Sequence, residues 1–393
     1  AALAMVVQTL RAMSLGGMRD HVGGGFHRYS VDGDWRVPHF EKMLYDQAQI
    51  VLACLEASQA ADDPFFAQIA EDTLQYVRRD MTDERGGFYS AEDADSLPHD
   101  AEARGPGSPP AHVHKVEGAF YVWPAGEIKA LLGEDSAAFE ARYGVLPNGN
   151  APFDPQHEFV NKNLLYTAQS IADIAKSVNK TPIEVAESLM RSRQILFEAR
   201  EQRPRPQLDD KVLTAWNGLM IAAFARASRV LDGAAHLDTA ARAAAFIRDV
   251  MWKAETRTLL RRYRAGDAAI EGYAEDYAYL IFGVLELFQA SGDAQWLAWA
   301  RALQLRQDEL FWDEGSGGWF STTGNDPSVL VRMKEDYDGA EPAPTSVSAM
   351  NLLTLAHLTG ERSYSDRAAQ AIASFGGRLE EMGRAVPFMA AVL

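Results

Sequence analysis

Hydrophobic residues in this chain recur mostly at three- and four-residue spacings, the period of helices with one buried face. Alanine- and leucine-rich segments with that period occupy 40–52, 64–80, 182–199, 211–231, 235–252, 273–291, 294–311, 346–359 and 362–375. Strand-like pieces are short and fall between them: GGFYS, AFYVW, LLRRY and GGWFST. The helical segments come in pairs with short connections, which predicts stacked helical hairpins.

Three stretches share one plan. MRDHVGGGFHRY (18–29), MTDERGGFYS (81–90) and FWDEGSGGWFST (311–322) each leave a helix, pass an aspartate and reach a Gly-Gly-aromatic step, and MWKAETRTLLRRY (251–263) is a degenerate copy. Gly24 and Gly86, like Trp252 and Trp312, stand about 60 residues apart, a spacing that fits two helices and a returning loop. A second register matches the helices that follow: FEKMLYDQAQIVLACLEAS, VLTAWNGLMIAAFARAS, YAEDYAYLIFGVLELFQAS and TSVSAMNLLTLAHLTG. Each puts polar or aromatic groups in its first two turns and a nearly all-apolar tail behind, as an inner helix flanked on two sides would. The expected fold is all-α, an (α/α)6 toroid of helical hairpins with short β-hairpin-like returns. Residues 1–393 are expected to form a single such domain, cut at both ends, with a proline- and glycine-rich loop at 97–117.

Composition narrows the chemistry. The formal net charge is −17 and there is no long basic run, which argues against nucleic acid or an anionic membrane as partner. Cys54 is the single cysteine, so no internal disulfide and no CxxC motif can form. The longest apolar run, LMIAAFA at 219–225, is too short to span a bilayer. The first residues, AALAMVVQTLRAM, read as an amphipathic helix entered part-way, not as a signal peptide. A cytoplasmic location is the expectation. GxSxG, GxxxxGK[ST], HExxH and GxGxxG are all missing, against serine hydrolase, P-loop and zincin readings.

The motifs GGGFHRYSVDGDWRVPHFEKMLYDQAQ, GGFYSAEDADS, GAFYVW, DDKVLTAWNGLMIAA and GYAEDYAYLIFGVLEL resemble the thioredoxin-domain-containing family that includes spermatogenesis-associated proteins. The resemblance implies a thioredoxin-like domain followed by a six-hairpin toroid, itself similar to N-acylglucosamine 2-epimerases and six-hairpin glycosidases. The match runs through roughly residues 1–375. It implies that the thioredoxin-like domain is absent from this chain, and it assigns no settled activity.

Candidate chemistry gathers in four places. Pro38 suits the first position of a helix, on which His39, Met43 and Asp46 would share one stripe and Glu41 and Tyr45 another. There His39 is a candidate base oriented by a carboxylate, with His21, His27 and Arg28 on the preceding loop; first-turn capping is the structural alternative. YSAEDADS offers Glu92, Asp93 and Asp95 as paired carboxylates for glycoside chemistry, or as turn formers. A hard cation held with His112 and His114 is a weaker alternative, and no metal or cofactor is expected. In LDDKVLTAWNGLM, Asp209 or Asp210 would cap a helix presenting Asp210, Thr214 and Asn217 beside a Trp216 platform, with Lys211 unexplained by capping. EGYAEDYAYL repeats the idea with Glu275, Asp276, Tyr273 and Tyr277, or is a plain aromatic core stripe.

Proton transfer is therefore expected from among His39, His21, His27, Glu41, Asp46, Asp93, Asp210 and Asp276. Substrate contacts are expected from Arg28, Trp35, Tyr45, Glu92, Asp95, Lys211, Trp216, Asn217, Glu275 and Tyr277. A sugar-like small molecule is the expected ligand. The histidines of the first segment tip the reading slightly toward a sugar epimerase or isomerase. A glycoside hydrolase using two carboxylates, or a non-catalytic binding or scaffold module of a thioredoxin-domain protein, is the alternative.

Overall fold

The computed structural model describes residues 2–98, 114–155, 157–325, 327 and 329–393. Most of the stretch expected as a loop at 97–117, His112 included, lies outside the described residues. In chain order the helices are α1 (Ala2–Leu15), α2 (Leu44–Ala60), α3 (Pro64–Asp80), α4 (Ala125–Leu132), α5 (Ser136–Tyr143), α6 (Ile171–Val178), α7 (Pro182–Arg200), α8 (Thr214–Val230), α9 (Ala234–Phe246), α10 (Ala274–Ser291), α11 (Ala294–Phe311), α12 (Pro344–Thr359), α13 (Arg362–Ser374), α14 (Gly376–Met382) and α15 (Pro387–Val392). The strands are β1 (Tyr29–Ser30), β2 (Pro38–His39), β3 (Lys42–Met43), β4 (Ala91–Glu92), β5 (Asp95–Ser96), β6 (Val116–Glu117), β7 (Leu208–Asp209), β8 (Val212–Leu213), β9 (Trp252–Lys253), β10 (Thr258–Arg264) and β11 (Asp267–Glu271). No described helix is long and apolar enough to cross a membrane.

The chain divides into two compact units: Ala1–Met43, Glu56–Tyr76 and Ala91–Asp209 form the first, and Leu44–Leu55, Val77–Ser90 and Asp210–Leu393 the second. In the first, Val22, Trp123, Ile128, Phe139, Ile174, Val185 and Leu196 make one apolar core, and Val37, Phe40, Phe120, Tyr121, Phe159 and Leu164 another. α7 is started by a capping box of Thr181 and Glu184 with Pro182 at its first position. In the second unit, α8–α9, α10–α11 and α12–α13 are helical hairpins, and α10 packs against both α8 and α12. Leu219, Phe224, Tyr277, Leu280, Val284 and Leu352 are among the residues buried there. The α8–α10 contact is backbone to backbone. A Cβ on Gly218 would stand 2.4 Å from the Tyr279 main chain, and one on Gly283 would stand 2.3 Å from the Gly218 carbonyl oxygen.

The repeated loops are alike down to their hydrogen bonds. Asp20, Asp83 and Asp313 each donate their N–H to the last glycine's carbonyl (Gly25, Gly87, Gly318) and accept one from the glycine before (Gly24, Gly86, Gly317). Each loop closes on a single bridge, Arg19 with Phe26, Thr82 with Phe88, Trp312 with Trp319. Gly24, at φ 84°, and Gly317, at φ 75°, take the left-handed turn that this return requires.

Two expected helix starts are corrected. The helix expected from Pro38 begins at Leu44. Residues 36–43 are extended instead, with His39 paired to Tyr29 and Lys42 to Glu92. Phe40 and Lys42 are buried while Glu41 between them is half-exposed, the alternation of a strand. The stripe of His39, Met43 and Asp46 therefore does not exist, nor that of Glu41 and Tyr45. Likewise α8 starts at Thr214, and its N-cap, Leu213, offers no side-chain cap. Leu208–Asp209 is a strand paired with Ala91–Glu92.

Candidate functional site

Without a cap of its own, α8 borrows one. Asp276, in the first turn of α10, accepts the Ala215 N–H on Oδ1 at 3.2 Å. Its Oδ2 accepts the Tyr273 N–H at 2.9 Å and an Arg261 Nη1–H at 2.8 Å. One fully buried carboxylate thus closes the N-termini of two helices. Burial pushes its carboxyl up to about 6, with the Arg261 charge working against that rise. Arg261 also meets Glu275 Oε1 at 2.5 Å and lies 4.8 Å from the Tyr273 ring centre. Glu275 is 25% exposed and Asp276 not at all, so of the two only Glu275 can meet a ligand.

In the first turn of α8, the half-buried Trp216 indole donates from Nε1 to Glu341 Oε2 at 2.8 Å. The Tyr45 ring meets Trp216 edge-on, with 4.9 Å between centres. Burial, reinforced by the charge of Glu275, pushes the Glu341 carboxyl up to about 7. The loop that carries Glu341 is tied at several points. Asp338 accepts the Ala343 N–H at 2.7 Å and the Phe388 N–H at 2.8 Å, and Gln49 donates to the Ala340 carbonyl at 2.8 Å. The Tyr279 hydroxyl donates to the Pro342 carbonyl. Tyr45, Trp216, Arg261, Glu275 and Glu341 therefore form one cluster of aromatic and acidic groups in the second unit. Sequence reasoning missed Glu341 and Arg261. The signal for Glu341 was an acid just before the proline-bounded start of the fourth polar helix end.

Other expected contacts in this unit are corrected. Asn217 is buried and spends its amide within the chain: Oδ1 accepts the Phe88 N–H at 2.8 Å, and Nδ2 donates to the Phe88 and Leu213 carbonyls at 2.9 Å each. It anchors the Gly-Gly-Phe return and has nothing left for a ligand. Tyr277 is 1% exposed, and its hydroxyl accepts the Leu259 N–H, so the aromatic-core alternative holds for it. Asp210 caps nothing; it pairs with Arg264 at 2.6 Å. Lys211 is half-buried beside β8, and Asp46 lies in the first turn of α2.

In the first unit, His39 Nδ1 lies 2.7 Å from Glu117 Oε1, and Nε2 is 3.7 Å from Glu41 Oε2. Its ring stacks on Tyr29 at 4.9 Å, and Glu41 is paired with Arg28 at 2.8 Å. The carboxylate partner of His39 is thus Glu117, which sequence reasoning did not consider, rather than Asp46. Asp95 is half-buried, and burial with the neighbouring Asp93 and Glu117 charges raises its carboxyl. Asp93 faces Lys115 at 3.5 Å.

His21 and His27 are corrected as acid–base candidates. Both are buried, with His21 Nε2 bound to the Gly16 carbonyl at 2.8 Å and His27 Nδ1 to the Phe40 carbonyl at 2.9 Å. Burial pushes each down to about 3, so both are neutral donors to backbone. The cavity they line measures about 20 Å³, room for a water and not for a sugar. Glu92 is also structural: 3% exposed, it accepts from Tyr76 at 2.5 Å and from Arg205 at 3.1 Å. Trp35 sits at φ 60° in a turn where its carbonyl accepts the Gly17 N–H, a loop role. Beside these, Asp20 holds Lys42 and Arg200 at 2.9 Å; burial raises its carboxyl, but the two cations overcome this and keep it well below the usual range.

No family model matches the chain. Spermatogenesis-associated protein 20 of Homo sapiens is 39% identical over 411 residues, covering 99% of this chain and 51% of that protein. An uncharacterized protein of Caenorhabditis elegans is 34% identical over 409 residues, covering 99% and 54%. Among solved structures, the cellobiose 2-epimerase from Bacillus thermoamylovorans matches with a TM-score of 0.59 at 12% identity, over 96% of this chain and 71% of that one. The fold is accordingly the (α/α)6 toroid of helical hairpins, as the paired helices predict. The chain spans about half the length of the curated relatives it matches. Over that span it belongs to the family of spermatogenesis-associated protein 20.

Proposed function

We propose that the chain acts on a carbohydrate held against Trp216, with Glu341 moving the proton. The observation that carries this reading is the Trp216–Glu341 pair: a half-exposed indole bonded to a carboxyl raised to about 7. A group that titrates near neutral pH can both give and take a proton there, the property wanted of a general acid or base. An indole face suits the C–H surface of a sugar ring. Glu275, held by Arg261 at 2.5 Å, supplies a second carboxylate in the same unit. The fold-level likeness to a cellobiose 2-epimerase supports a sugar-processing role. A cytoplasmic place in carbohydrate metabolism belongs to the same proposal.

The His39–Glu117 bond of 2.7 Å favours a second reading, isomerisation through an oriented imidazole. One experiment separates them. Reducing sugars are incubated with the protein in deuterated water and exchange next to the carbonyl is followed by NMR, beside a panel of glycosides. Activity lost in Glu341→Gln and kept in His39→Gln supports the first reading. Exchange lost only in His39→Gln supports the second. Binding without either reaction makes this a non-catalytic binding module, the alternative in which it serves a larger protein.

A further inference from the structure

The residues around Trp216 and Glu341 leave no obvious place for an anion. Two helix N-termini point into this region, and such ends ordinarily attract phosphate or carboxylate. Here one side chain of the protein itself already occupies both, since Asp276 takes the Tyr273 and Ala215 N–H groups and sets its own carboxylate at the two ends. The cations nearby are matched as well. All three arginines of β10 beyond Leu260 with charged partners are engaged: Arg261 with Glu275 at 2.5 Å and Asp276 at 2.8 Å, Arg262 with Asp267 at 3.0 Å, and Arg264 with Asp210 at 2.6 Å.

Negative groups, by contrast, are in excess. Arg261 balances one of Glu275 and Asp276, and the partner of Glu341 is an indole N–H that carries no charge. Burial and the Glu275 charge outweigh the pull of Arg261 on Glu341 and raise its carboxyl toward neutrality, and a ligand that brings a positive charge would favour its ionised form. The Trp216 and Tyr45 rings add faces that favour a cation over an anion, while the Tyr273 ring already meets the Arg261 guanidinium. The ligand must therefore join a sugar-like C–H face to a positive group.

We infer that the substrate class of this site is an amino sugar with a free ammonium group, the ring lying against Trp216 and the ammonium between Glu275 and Glu341. This rests on the reading that a carbohydrate binds at Trp216. Phosphorylated and uronic sugars are disfavoured, because they would bring a further negative charge beside Glu275, Asp276 and Glu341, where Asp276 already takes an N–H from each helix end and the β10 arginines are paired. N-acetylation of the amine removes the charge and with it the preference.

The test is a titration of the whole chain with glucosamine, N-acetylglucosamine, glucose and glucose 6-phosphate, read by calorimetry and by tryptophan emission, with Trp216→Phe as the control for the emission signal. The expected result is that glucosamine binds at least tenfold more tightly than glucose or N-acetylglucosamine, and that glucose 6-phosphate binds most weakly. Glu275→Gln is expected to lower the ratio of glucosamine to glucose affinity at least tenfold, whatever it does to sugar binding as a whole. Equal or tighter binding of N-acetylglucosamine, glucose or the phosphate ester overturns the inference and leaves the carbohydrate reading standing. Binding of no sugar, or binding whose emission change survives in Trp216→Phe, overturns the carbohydrate reading and this inference with it. The wild-type series decides the matter even where Glu275→Gln folds poorly.

Discussion

The Trp216 indole donates to Glu341 Oε2 over 2.8 Å, joining the first turn of α8 to the loop that precedes α12. The bond ties a chromophore to a titrating group. Burial raises the Glu341 carboxyl from 4.5 to about 7 in the folded chain. Between those values the folded state holds a proton that the unfolded state has lost, so stability falls as pH rises across that window. Glu341→Gln removes this slope. Its melting temperature relative to wild type should rise from pH 5 to pH 7, and the change in tryptophan emission centred near pH 7 should vanish.

Asp276 serves two helix ends and Arg261 at once, so its loss is felt in all three. Asp276→Ala should cost about 3 kcal/mol in urea unfolding, the range for breaking a buried, hydrogen-bonded ion pair. Asp276→Asn keeps one acceptor oxygen and should fall between the variant and wild type. A loss below about 0.5 kcal/mol for the alanine variant would contradict the shared-cap geometry.

Asn217 predicts a stability effect without a binding effect. Its three bonds to Phe88 and Leu213 are buried, so Asn217→Ala strands main-chain groups and should cost about 2–3 kcal/mol. Asn217→Ala that is as stable as wild type but fails to bind sugar would return Asn217 to the site.

His21 and His27 predict acid sensitivity. Each is pushed by burial from 6.5 down to about 3, so the unfolded chain binds protons there that the folded chain refuses. Their contribution is complete above pH 6.5 and is lost as pH falls toward 3, by up to about 1.4 kcal/mol per pH unit for each histidine. Replacing either by glutamine should flatten the plot of unfolding free energy against pH between 6 and 4, whatever it does to stability at pH 7.

The helical hairpins were legible because their apolar period is local: α3, α10 and α11 fall where the pattern puts them. The loop repeat was legible for the same reason, since its aspartate and glycines close on each other within a few residues. What the chain order hides is partnership at a distance. Asp209 and Asp210 stand in sequence where a cap for α8 would, and only packing brings the distant Asp276 there instead. Glu117 is 78 positions from His39, and Glu341 is 125 from Trp216. Pro38 misled because a proline that can open a helix also fits the first residue of a short strand, and the pairing of His39 with Tyr29 decided between them.

Gly218 and Gly283 let α8 and α10 touch through bare main chain. Trp216 stands two residues before the first of these glycines, and Glu275 eight before the second. The gauge of the site is thus set by two missing methyl groups rather than by any side chain that faces a ligand. An alanine at either position would wedge the helices apart and widen the gap between platform and carboxylate, with every group of the chemistry unchanged. Spacing and chemistry are thus separately encoded in this chain, the first by residues that carry no functional group at all.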